Sequence, residues 1–289
     1  MNFNVLIWNV RGLNNPARRV VVLGVIQPFS VVFVCLQESK LQFVDLSIVR
    51  ECCGPEFTEF VYAPADGTRG GMLVAWKGTE FLTSNHHITP SFVLVEGLML
   101  KSQTPASILT VYGPQDTGQK LEFLQNLKSF AQSSLQPAVP CIFAGYYNLI
   151  VQASDKSNSN FNRRTMAAFR NFINELQLKD LYLAGRRYTW SNEQAMAIMV
   201  KLDRVLFNDA WDASFPNCML QALSSDMSDH CPMLLTCNAH HRCTRHFRFE
   251  NHWVGRDDFL EVVSEVLSSC PPKSNAFLNL HSRLYSPGS

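Results

Sequence analysis

The sequence has no apolar run long enough to cross a bilayer: Val20 to Ile26 and Val31 to Leu36 fall far short of the ~20 residues a spanning helix needs. It also lacks a basic segment followed by an apolar stretch and a small-residue cleavage site, and begins instead with an alternating strand-like run from Phe3 to Val10. A soluble, intracellular protein, nuclear or cytoplasmic, with no membrane partner is therefore expected. Excess charge of either sign is missing too. The 25 Lys and Arg residues face 24 Asp and Glu, and a net charge of +1 gives no global attraction for nucleic acid or anionic lipid. Any polyanion has to be held by a local patch. No C-x-x-C pair occurs among the nine cysteines, an odd number that fits buried reduced thiols better than a disulfide framework. Internal repeats and low-complexity tracts are absent as well.

What is present is core-forming material, 46% hydrophobic over 289 residues, enough for one large domain with an appendage. Short apolar and β-branched runs predict strands at Val5 to Val10, Val31 to Gln37, Met72 to Trp76, Phe92 to Leu100, Ile108 to Tyr112, Cys141 to Ala144, Leu202 to Phe207 and Met233 to Cys237. Helical spacing recurs at Ala17 to Gln27, Gln119 to Gln132 and Arg164 to Leu176. Turn chemistry after several strands, as at Gly70-Gly71 and Tyr112-Gly113-Pro114, favours antiparallel pairing. The expected fold class is α/β: a two-sheet, mainly antiparallel β-sandwich flanked by helices, four-layered.

Composition changes near Asn238, which divides the chain into a domain at 1–238 and a remainder at 239–289. Cys237, His240, His241, Cys243 and His246 could supply zinc ligands, but their spacing matches no standard pattern and equally suits a loop after a final strand. Phe259, Val262, Val263, Val266 and Leu267 predict an amphipathic helix that Pro271-Pro272 stops.

Polar groups at the ends of apolar strands are informative, because burying them costs free energy unless they meet partners or ligands. Trp8-Asn9, Gln37-Glu38 and Tyr112 end strands, Asn148 lies just beyond one, and Asp203 and Asp229-His230 sit beside two more. Such a set can bind a divalent metal and attack a phosphodiester. Each member also has a plainer reading. Asn9 caps a turn, Glu38 is a solvated strand end facing Lys40, and Tyr112 packs before Gly-Pro. Asp203 makes a surface ion pair with Arg204, and His230 is a satisfied core histidine.

The order of these segments resembles the endonuclease/exonuclease/phosphatase superfamily, which includes apurinic endonucleases and pancreatic deoxyribonuclease. The resemblance rests on Trp8-Asn9-Val10-Arg11-Gly12-Leu13, Cys35-Leu36-Gln37-Glu38, Val111-Tyr112-Gly113-Pro114, Gly145 to Asn148, Leu202-Asp203-Arg204 and Ser228-Asp229-His230-Cys231-Pro232. Gly185 to Asn192, Ser154 to Asn158 and Phe247 to Asn251 are similar to LINE-type (non-LTR) retrotransposon endonucleases of plants, and Tyr188 to Asn192 argues against an inositol phosphatase or a sphingomyelinase. In such elements a reverse transcriptase follows, and its domain is absent from this chain.

The resemblance implies that Glu38 is the principal ligand of Mg²⁺ (or Mn²⁺), with Asn9 beside it and Asp229 on the metal side. It further implies that Tyr112 contacts the scissile phosphate of DNA, that Asn148 orients the attacking water, and that His230 donates to a phosphate oxygen while Asp203 fixes its tautomer. One position departs. The family reads Gly-Asp-Phe-Asn where this chain reads Gly145-Tyr146-Tyr147-Asn148. A phenol with an ordinary pKa near ~10 is a donor where a carboxylate acceptor is required. Asp155 is the nearest conceivable substitute, and Tyr147 for Phe is tolerable if its hydroxyl finds a partner. Three readings remain: a crippled or inactive phosphodiesterase of retrotransposon origin, an active Mg²⁺-dependent nicking enzyme, and a non-catalytic nucleic-acid-binding fold or remnant without a role.

Overall fold

The computed structural model describes residues 2–194 and 196–238, together with Glu261, Ser264 and Glu265. Of the residues weighed as zinc ligands, Cys237 is buried in a strand, while His240, His241, Cys243 and His246 lie outside the described residues. So do the apolar positions of the helix expected at 259–267.

The elements run β1 (Asn2–Asn9), α1 (Pro16–Ile26), β2 (Val31–Gln37), α2 (Leu46–Cys53), β3 (Glu59–Asp66), β4 (Arg69–Trp76), β5 (Phe81–Ile88), β6 (Phe92–Met99), β7 (Thr104–Tyr112), α3 (Thr117–Ser134) and β8 (Cys141–Tyr146). They continue with α4 (Arg163–Glu175), β9 (Lys179–Asp180), β10 (Leu183–Ala184), β11 (Trp190–Ser191), β12 (Met199–Val200), β13 (Asp203–Phe207), α5 (Asp209–Ser214), β14 (Cys218–Ala222) and β15 (Met233–Asn238). One sheet has the order β10-β14-β15-β1-β2-β4-β3 and the other β5-β6-β7-β8-β13-β9, with β11-β12 as a separate ribbon.

Burial explains why the central strands read as continuous apolar runs rather than as alternation. β2 is buried at every position because both of its faces are covered. Its Phe33 and Cys35 join Val5, Ile7 and Val74 of the same sheet and Val95, Ile108 and Ile142 of the other in a core between the sheets. Its even-numbered Val34 and Leu36 pack with Leu6 and Trp8 under Val22 of α1 and Val49 of α2. On the far side, Leu94, Leu109 and Phe143 meet Leu127 of α3 and Phe169 of α4. The result is a four-layer α/β/β/α sandwich, with most strand pairs antiparallel.

The turn expected after Tyr112 is a correction. Gly113-Pro114 leads into a long helix, because the Asp116 side chain accepts from the amides of Gly118 and Gln119 and caps α3. That crossover makes β7 and β8 parallel, as α1 does for β1 and β2. Both parallel pairs end at the same end of the sandwich, where the polar strand termini gather.

Candidate active site

Within the first sheet, β1 and β2 run in parallel with Asn9 opposite Gln37. The chain then turns through Glu38, whose φ of 51° is left-handed. Gly71 permits this close turn, since a Cβ there would stand 2.5 Å from Ser39 Oγ. The Ser39 amide bonds to the Gly71 carbonyl at 3.0 Å and fixes the loop against β4. Glu38 is consequently buried rather than solvated, and its Oε1 accepts from Asn9 Nδ2 at 3.1 Å. Asn9 does two things at once, because its Oδ1 also accepts from the Arg11 amide at 3.2 Å.

In the second sheet the ladder aligns Tyr112 with Tyr146 and Tyr146 with Asp203. The approach of β7 to β8 depends on Gly145: its φ is +140°, and a Cβ would stand 2.2 Å from the Val111 carbonyl oxygen. Tyr147 then turns away into the core and donates its hydroxyl to the Phe143 carbonyl at 3.1 Å, so this ring is packed and satisfied. Asn148, at φ 53°, donates to the Pro114 carbonyl at 2.9 Å and lines the cleft.

Strand alternation separates Asp203 from Arg204. The two do not form the surface pair that adjacency suggests. Asp203 faces the cleft, where its Oδ2 lies 2.8 Å from His230 Nδ1. Arg204 faces the other way and pairs with Asp155 and Asp180 inside the protein. Asp155 also accepts from the amides of Val151 (2.8 Å) and Gln152 (3.1 Å). It is committed to a buried ion network and is not available to serve in place of a catalytic carboxylate.

The segment before β15 closes the site. Ser228 Oγ donates to the Asn9 carbonyl at 2.8 Å, and Trp8 Nε1 donates to the His230 carbonyl at 3.0 Å. Burial works against a charged His230, yet the Asp203 carboxylate, with Asp229 and Glu38 behind it, raises its pKa above the ordinary value. Asp229 Oδ2 accepts from Trp190 Nε1 at 2.8 Å and faces Arg11 Nη1 at 3.0 Å. Its Oδ1 is buried with no hydrogen-bond partner.

Tyr146 occupies the middle of this arrangement. Its ring is edge-on to His230, with centroids 5.1 Å apart, and tilted against Tyr112 at 5.7 Å. Burial first, then the carboxylates of Asp203 and Glu38, push the phenol far above its usual range, so it stays protonated at any physiological pH. Tyr112 shifts the same way, through burial and its neighbour Glu38.

Among the described residues, no group of three or more His, Cys, Asp or Glu side chains is arranged to hold an ion. The fitting donors are oxygens: the Glu38 carboxylate, and the unpartnered Asp229 Oδ1, whose lone pairs are otherwise unsatisfied. Such a set suits a hard divalent cation. Sequence reasoning assigned no role to Arg11 or Trp190, although both lay within quoted motifs. Their polar contacts join residues far apart in the chain, and no local pattern signals them. The adjoining cleft has a volume of about 560 Å³ and is lined in part by Arg11, Lys120, Asn148, Lys156 and His230. These are the local basic groups that a near-neutral chain needs for a polyanion.

A model of the Endonuclease/Exonuclease/phosphatase family matches residues 6–230. Solved structures similar to the chain include an AP endonuclease from Archaeoglobus fulgidus (14% identity, TM-score 0.63, covering 81% of this chain and 98% of that one). The endonuclease domain of TRAS1, a telomere-specific non-LTR retrotransposon, is similar at 12% identity and TM-score 0.59, covering 83% and 100%. TDP2 of D. rerio, complexed with a single-strand DNA product, is similar at 15% identity and TM-score 0.56, covering 82% and 99%. Identities this low speak to the fold. No curated protein sequence matches the chain at a significant level. No helix among the described residues is long and apolar enough to cross a membrane.

Proposed function

Because the chain belongs to the endonuclease/exonuclease/phosphatase family, we propose that it is a retrotransposon-derived DNA phosphodiesterase domain whose hydrolytic step is crippled by Tyr146. The observation that carries this reading is the phenol held between Tyr112, Asp203 and His230. Attack on a phosphodiester needs an acceptor that takes the water proton or holds the water in line. General-base catalysis is typically worth about 10² to 10⁴ in rate, and losing water orientation costs more. A buried, protonated phenol cannot take that proton.

The other groups retain positions suited to the chemistry. Asp203, at 2.8 Å from Nδ1, fixes the His230 tautomer and leaves Nε2 to donate to a phosphate oxygen. Tyr112 is a neutral donor beside the same space. Asn148 is oriented through Pro114 and stands where it can direct a water. Glu38, with Asn9 and Asp229, is suited to hold Mg²⁺ or Mn²⁺, which would neutralise phosphate charge. Domain limits of 1–238 for this unit and 239–289 for the remainder belong to the same reading, as does the LINE-type origin supported by Gly185 to Asn192.

Binding without cleavage is the function these residues leave open, and the Arg11, Lys120 and Lys156 wall of the cleft favours it. The test is nicking of supercoiled plasmid with Mg²⁺ or Mn²⁺ beside a Glu38→Ala control. No Glu38-dependent nicking is expected. Wild-type nicking that Glu38→Ala abolishes would show an active enzyme and sink the inactivity claim.

A further inference from the structure

Arg11 stands between the two carboxylates that are suited to a cation. Its Nε lies 3.6 Å from Glu38 Oε2 and its Nη1 3.0 Å from Asp229 Oδ2. The first separation exceeds hydrogen-bonding distance, and Asp229 Oδ1 remains unpartnered, so the guanidinium neutralises the pair without satisfying it.

The backbone beneath this side chain is fixed. The Arg11 amide bonds to Asn9 Oδ1 at 3.2 Å, while Arg18 clamps the carbonyls on either side, Val10 at 2.6 Å and Gly12 at 2.8 Å. Freedom is confined to the side chain, which is 41% exposed against 6% for Glu38 and 21% for Asp229. The same side chain lines the cleft together with Lys120 and Asn148.

We propose that Arg11 is a movable counter-ion: it neutralises Glu38 and Asp229 until a divalent cation takes those carboxylates, and it then passes to a nucleic-acid phosphate in the cleft. A guanidinium held against these two carboxylates repels a divalent cation that approaches the same oxygens. Cation and DNA binding are therefore coupled through one side chain, because a phosphate that draws Arg11 outward frees the carboxylates. This inference rests on the reading of the cleft as a metal-dependent DNA site.

Calorimetric titration of Mn²⁺ into the full chain tests both, with wild type, Arg11→Met and Glu38→Gln compared with and without a short DNA duplex. Arg11→Met is expected to tighten Mn²⁺ binding about tenfold, the effect of removing one nearby like charge. Duplex is expected to tighten Mn²⁺ binding to wild type by a similar factor and to leave Arg11→Met nearly unchanged. Equal or weaker Mn²⁺ binding by Arg11→Met, or equal tightening of both proteins by duplex, overturns the counter-ion role even where Glu38→Gln abolishes binding and so upholds the cation site. Undiminished Mn²⁺ binding by Glu38→Gln, or no binding by wild type and Arg11→Met alike, overturns the cation site and the counter-ion role with it.

Discussion

Tyr146 presents its ring at 86° to the His230 imidazole, with 5.1 Å between centroids, while Asp203 stands opposite it across the β8–β13 ladder. The phenol ring therefore packs against the Asp/His pair but leaves the 2.8 Å bond between those two intact. On the proposed reading, one position separates this arrangement from a complete one.

Tyr146→Asp is accordingly expected to raise Mg²⁺-dependent plasmid nicking by about 10² to 10⁴, more than any other single substitution. Tyr146→Asn relieves the crowding without supplying a carboxylate and is expected to stay near wild type. Should Tyr146→Asp remain inert while still binding metal, the lesion lies elsewhere as well.

Arg204 is 1% exposed and faces Asp155 and Asp180. Arg204→Met removes the guanidinium that Asp155 and Asp180 share in the interior, and breaking a buried pair from one side costs about 3–5 kcal/mol. Urea unfolding followed by tryptophan fluorescence measures this directly. A loss under about 1 kcal/mol, the range of exposed pairs, contradicts the buried network.

Cys218 and Cys237 are register partners on β14 and β15, with their sulfurs 2.9 Å apart. A small shift brings them to disulfide length. Oxidised glutathione is expected to close this bridge, and slowly, since burial pushes the Cys237 thiol well above its usual range. Peptide mapping under non-reducing conditions decides it; a mixed disulfide at Cys218 with Cys237 left free goes against the geometry.

Truncation after Asn238 is expected to leave the melting temperature within a few degrees of the full chain. β15 already pairs on both sides, with β1 and with β14, so neither of its edges is left open. A sharply lower melting temperature for the shortened chain identifies the remainder as part of the domain.

Much of the fold was legible because both faces of the central strands are covered, which turns each into an unmistakable apolar run. β5 was not, and the reason is visible in its side chains: after Phe81 nearly every residue is exposed, as suits a sheet edge. β3 and β14, with mixed burial, escaped in the same way. In the candidate site, motif order singled out Asn9, Glu38, Tyr112, Asn148, Asp203, Asp229 and His230. The plainer alternative of a surface pair between Asp203 and Arg204 came from adjacency, whereas the period of a strand places the two on opposite faces. Arg11 reaches Asp229 across 218 positions of sequence, a relation that only the folded chain expresses.

The polar bonds around the cleft also stitch distant parts of the chain together: Trp8 to His230, Ser228 to Asn9, Asn9 to Glu38. A chain that had abandoned hydrolysis altogether would still be penalised for losing them, because buried groups left without partners cost about 1–3 kcal/mol each. Tyr146 is different, since its ring is held by packing against His230 and Tyr112. Constraint on folding alone would thus preserve these contacts whether or not the cleft turns over a substrate. The polar frame of the cleft thus measures thermodynamic necessity rather than turnover.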